Sequence, residues 1–196
     1  MIDGIIQGIV AFNSVEWLGI STGILYVVFL AYRKKVAWLC AFVCACSYSY
    51  ISFQANLYLE TFLQLVYIVL AVLGWLHWTR SETASENPKS WPLLYHVGIF
   101  IGGSVASFLL AYLMEITSSQ ESALLNAFTT VFSLLASYMA IRSILETWLY
   151  WILIDLALFA LYFSQELYLS GTLYLIYTIL AIFAYSKWNS KKTKQL

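Results

Sequence analysis

The sequence predicts an all-α integral membrane protein: a seven-transmembrane-helix bundle of 3+1+3, parallel-repeat (SWEET-like) design. Three observations carry this expectation: the composition, the placement of the cations, and an internal repeat. Of the 196 residues, 62% are hydrophobic and 10% charged. A soluble domain is about 45–50% apolar and about 25% charged, so this chain lacks the polar surface that water requires. Its low charge also argues against nucleic-acid binding, which needs a basic face.

The elements follow in order. Residues 1–15 form an expected extracytoplasmic segment. It opens MIDGIIQGIVAF, with Asp3 and no Lys or Arg, so it does not resemble a cleavable signal peptide. A spanning helix needs about 20 mostly apolar residues. Seven stretches qualify: 16–32, 36–54, 57–78, 91–114, 123–141, 148–164 and 167–188. The first three form one unit (16–78) and the last three another (123–188). Between them, 79–122 holds a polar loop, Thr79–Ser90, and linker helix 4, with a tail at 189–196. Pro88 and Pro92 flank the start of helix 4, where a helix accepts proline. Cys40, Cys44 and Cys46 share one apolar span and lack a second Cys or His pair, so they read as packing groups rather than metal ligands. No cofactor is expected.

The cations support the count. Arg33, Lys34 and Lys35 follow helix 1, Arg80 and Lys89 follow helix 3, and Arg142 follows helix 5. Lys187, Lys191, Lys192 and Lys194 close the chain. With seven crossings, all ten fall on one side of the membrane. The other side carries Asp3, Glu16, Glu115, Glu121 and Glu166. The positive-inside bias makes the cationic side cytoplasmic, with the N-terminus outside and the C-terminus inside. Six or eight crossings would scatter the cations over both sides.

The repeat appears at an offset of 110. Residues 53–78 align with 163–188 without a gap, identical at ten of 26 positions, including Phe53/Phe163, Tyr58/Tyr168, Tyr67/Tyr177 and Trp78/Trp188. Trp38 and Trp148 fall in the same register. Three helices plus one linker is an even number, so the units run parallel. Transporters such as the SWEET proteins are built this way, with substrate between the units near the midplane.

Few polar side chains lie within spans. Asp155 falls about 10 Å into helix 6 at 1.5 Å per residue. An intramembrane carboxylate marks a pathway or ligand by default; the bland alternative is a protonated acid bonded to a neighbouring helix. Trp148, Trp151 and Asp155, spaced i, i+3, i+7, share a face and suit a flat cationic ring. Trp148 fits an interfacial aromatic belt equally well. Glu60, Gln64 and Tyr67 share a face of helix 3. Their equivalents are Ser170, Tyr174 and Tyr177, and the two stripes are expected to face each other across a central path. Gln64 offers both donor and acceptor, or simple interhelical bonding. Trp75 and Trp78 read as belt residues, His77 as lying at headgroup level, and His96 as packing.

Glu16-Trp17, Gln64 with Gly74-Trp75-Leu76-His77-Trp78, Trp148-Leu149-Tyr150-Trp151 and the closing LYLIYTILAIFAYSKW together resemble the PnuC family of vitamin transporters, from residue 16 to nearly the end of the chain. That resemblance implies a homotrimer and facilitated diffusion of nicotinamide riboside, with uptake driven by a cytoplasmic kinase that traps the vitamin. It also implies that Trp148 and Trp151 line the binding site. Several members carry Asn where this chain has Asp155. A thiamine-carrying branch is similar in lacking extra N-terminal helices. Both vitamins are cationic aromatic rings with hydroxyl arms. The competing classes are a seven-helix receptor or sensor, a retinal protein and a membrane enzyme. The retinal reading fails for want of a lysine inside helix 7 before Lys187. The enzyme reading lacks a second aspartate beside Asp155 and any HExxH. No nucleotide-binding motif points to ATP-driven pumping.

Overall fold

In the computed structural model, residues 13–80, 88–117 and 123–193 are described. They form seven helices: α1 (Ser14–Ala31), α2 (Val36–Gln54), α3 (Tyr58–Arg80), α4 (Leu93–Thr117), α5 (Ala123–Ile141), α6 (Thr147–Ser164) and α7 (Tyr168–Thr193). All seven are long and apolar enough to cross a membrane. The expected spans match to within a few residues. The expectations for residues 1–12, Glu121, Lys194 and most of the polar loop lie outside the described residues.

Each boundary has a local cause. α1 starts with a capping box: Asn13 Oδ1 accepts from the Val15 and Glu16 amides, and the Asn13 amide donates to Glu16 Oε2. Glu16 is therefore a helix cap. α1, α2, α5 and α6 each end with a Schellman pair. The Arg33 and Lys34 amides donate to Leu30 O and Phe29 O, and the Ser143 and Ile144 amides to Ala140 O and Met139 O. Asn56 and Leu57, and Glu166 and Leu167, repeat the pattern. The residue past each helix is left-handed: Arg33 at φ 57°, Asn56 at 58°, Ser143 at 58° and Glu166 at 62°. No glycine occupies these positions, and the pairs are 110 residues apart.

Packing recurs at the same interval. α2 packs between α1 and α3, and α6 between α5 and α7. The two triplets meet where α1 touches α7 and α3 touches α5. α4 packs on α5, and much of it is exposed, including Leu93 and Leu94 at 78% each. In a bilayer that surface faces lipid or another apolar chain. A strap at 88–91 crosses to the α5–α6 turn. Lys89 pairs with the Ser143 and Leu145 backbone, while Ser90 and the Trp91 amide donate to Glu146. His96 joins this clasp through Tyr150 OH at 3.1 Å.

Candidate functional site

The buried core at the cation-rich end is a ring of indoles. Trp38 meets Trp78 edge-on, with centroids 5.6 Å apart, and Trp148 meets Trp188 in the same way at 5.4 Å. All four are at most 2% exposed. Trp78 Nε1 donates to Ile141 O and Trp188 Nε1 to Ala31 O, so each triplet's last helix is bonded to the other triplet's first. The indole N–H groups of Trp38 and Trp148, equivalent positions, are buried and unpartnered. Gly74 makes room for this ring: a Cβ there would lie 2.3 Å from Trp38 Cδ2.

These positions correct one expectation. Trp78 does not belong to a belt; it is a core residue with a satisfied N–H. Trp148 is likewise enclosed rather than interfacial. Trp75, by contrast, is 36% exposed, with Lys35 Nζ 5.9 Å from its ring. His77 lines an outer crevice with Arg80 and Arg142. His96 does more than pack, because it bonds Tyr150.

Above the indoles runs a column of phenols. Trp151, half-buried, packs against both the indole cluster and the Phe132–Ile154 cluster. One turn further along α6, Asp155 is 5% exposed. It lies about 12 Å along a helix about 27 Å long at 1.5 Å per residue, which is near mid-height. Tyr174 and Tyr177 of α7 lie close to it. Tyr174 stacks on Tyr162 at 5.3 Å, nearly parallel, and Glu60 of α3 lies near Tyr162. Tyr67 of α3 lies beside Tyr26 of α1 and within reach of Ser133 of α5. Gln64 is half-buried on α3.

The fold thus gathers Trp151, Asp155, Tyr174 and Tyr177 in one place, with Trp148 below and Glu60 above. Tyr67 belongs to the other triplet, beside Tyr26. Sequence reasoning missed Tyr26, Tyr48, Tyr162 and Cys44, which also border the column. It also missed Trp38, Trp188 and Arg33. The 110-residue register of the tryptophans pointed to the first two. Among the described residues, no group of three or more His, Cys, Asp or Glu is placed to hold a metal ion. Asp155 is thus a buried carboxylate near mid-height with Tyr174 and Tyr177 beside it.

Seven helices long and apolar enough to cross a membrane define a multi-pass membrane protein. The family profile described as nicotinamide mononucleotide transporter matches residues 13–190, so the chain belongs to that family. Membership decides for transport against the receptor and enzyme alternatives. Among solved structures, the chain is similar to one described as the crystal structure of the vitamin B3 transporter PnuC. The TM-score is 0.73 at 24% identity, covering 96% of this chain and 88% of that one. No curated protein sequence matches.

Proposed function

We propose that the protein is a facilitative transporter for a water-soluble cationic aromatic vitamin, nicotinamide riboside or thiamine. The observation that carries this reading is Asp155, buried at mid-height beside Tyr174 and Tyr177, with Trp151 one turn below on the same helix. An aromatic wall attracts a cation through its ring faces, and a carboxylate in a low-dielectric site adds charge complementarity. Trp148, Trp151, Asp155, Glu60, Gln64, Tyr67, Tyr174 and Tyr177 are the proposed binding residues. A mononucleotide, the solute in the family's name, carries an added phosphate. A column holding Asp155 and Glu60 favours the form without it.

The reading extends to a two-unit mechanism. The left-handed turns and the reciprocal indole bonds, each recurring at 110 residues, support two parallel three-helix units that rock against each other. It also includes a homotrimer, an inner-membrane location with the cationic end cytoplasmic, and uptake driven by a kinase that phosphorylates the vitamin.

Calorimetric titration of the purified protein in detergent with thiamine and with nicotinamide riboside tests the substrate. Saturable binding of one names it, and binding of neither overturns the reading. Asp155→Asn is expected to weaken binding about tenfold, roughly 1.4 kcal/mol. Unchanged affinity would show that charge is not the basis of selection.

A further inference from the structure

The turn between α1 and α2 buries a cation where the two triplets meet. Arg33 is 4% exposed. Its guanidinium carbon lies 5.4 Å from the Trp78 ring centroid and 4.9 Å from that of Trp188. Trp78 and Trp188 are equivalent positions that donate reciprocally across the interface. Arg33 Nη2 donates to Ser143 Oγ at 3.3 Å, and Ser143 is the counterpart of Arg33 at the same 110-residue interval. A residue that touches its own counterpart and both members of an equivalent indole pair lies on the axis relating the triplets. In the two-unit reading the solute passes between the triplets, along that axis.

Taking a guanidinium out of water is costly. Two indole faces offset part of that cost through cation–π attraction. The space between them therefore has the shape and electrostatics to hold a planar organic cation, whichever molecule supplies it. It also adjoins the α6 residues: Trp188 is in edge contact with Trp148, and Trp151 packs on the same cluster. We propose that the space between the Trp78 and Trp188 indoles is a second seat for a planar organic cation on the transport path, filled here by Arg33 and vacated as cargo passes. A cationic ring at Trp148 and Trp151 and the guanidinium beside Trp188 repel each other in a low-dielectric core. The arrival of cargo thus drives Arg33 toward water, beside exposed Lys34 and Lys35. The role given to cargo rests on the cationic-vitamin reading; the seat itself does not.

The test uses the purified full chain carrying Arg33→Ala. Millimolar methylguanidinium should raise the thermal midpoint of the variant and leave that of the unsubstituted protein unchanged, and methylammonium at equal concentration should do far less. Titration with the vitamin cation should then show two sites per chain in the variant against one in the parent. If methylguanidinium leaves the variant unchanged, the seat does not exist. If methylguanidinium stabilises but the vitamin still fills one site, the seat lies off the path and the proposal is overturned. If the vitamin binds neither protein, the cationic-vitamin reading fails while the methylguanidinium result still decides the seat. Should Arg33→Ala not fold, Arg33→Gly also empties the seat and suits the left-handed backbone at φ 57°, and the same comparisons apply.

Discussion

Gly74 shows how narrowly the indole ring is fitted. A Cβ at this position would sit 2.3 Å from Trp38 Cδ2, inside van der Waals contact. Overpacking of this kind costs roughly 1–3 kcal/mol. Gly74→Ala is therefore expected to lower the thermal midpoint in detergent. Gly98, with no heavy atom within 4 Å of an added Cβ, is the control, and Gly98→Ala should be neutral or slightly stabilising. An equal loss from both would remove the packing argument. Residue roles were only partly legible in the sequence. Trp75 and Trp78 stand three apart and point in neighbouring directions, and only the rotation of α3 against α2 and α5 decides which is enclosed. Arg33 stands in an Arg-Lys-Lys run that reads as a solvated loop; its burial depends on tryptophans 45 and 155 residues away. The burial of Asp155 was legible because a lone carboxylate falls deep in an apolar span.

At the level of the helices, the four left-handed turns carry a local cost. A non-glycine residue in this conformation loses about 1–2 kcal/mol. Glu166 is exposed, with φ 62°. Glu166→Gly should raise the thermal midpoint, and Glu166→Val should lower it. If the two substitutions moved the midpoint alike, strain would not be the cause. Span limits were readable to within a few residues because apolar length and the flanking cations both mark them. The turns were not: Schellman ends are usually glycine, and here Arg33, Asn56, Ser143 and Glu166 fill the role, so composition gave no cue. The strap from Lys89 to the α5–α6 turn was equally hidden, since its bonds are to backbone atoms and to Glu146 more than 50 residues along the chain.

For the whole molecule, the placement of cations carries an orientation that can be checked directly. The described cations Arg33, Arg80, Arg142 and Lys187 gather at one end of the bundle, and the proposal puts that end in the cytoplasm. A single cysteine in a cysteine-free background, placed near Arg142, should be shielded from a membrane-impermeant thiol reagent in intact cells and react after lysis. Labelling in intact cells would invert the orientation. The seven-helix count was legible at this scale because a solvent preference integrates over the chain. The meeting of the two triplets was legible only as a shared interval of 110, not as a geometry, because interhelical bonds leave no trace in composition.

The reciprocal tryptophan bonds have a consequence for how the chain holds together once made. Trp78 reaches Ile141 and Trp188 reaches Ala31, so each half grips the other at its opening helix. The peptide link between α4 and α5 is then not what keeps the halves in register. Two separately synthesised fragments, divided between residues 117 and 123, should assemble into one particle without a covalent tether. The same grip means that neither half can tilt alone: a nick between residues 117 and 123 would leave the molecule's symmetry intact, whereas losing a single indole would break it.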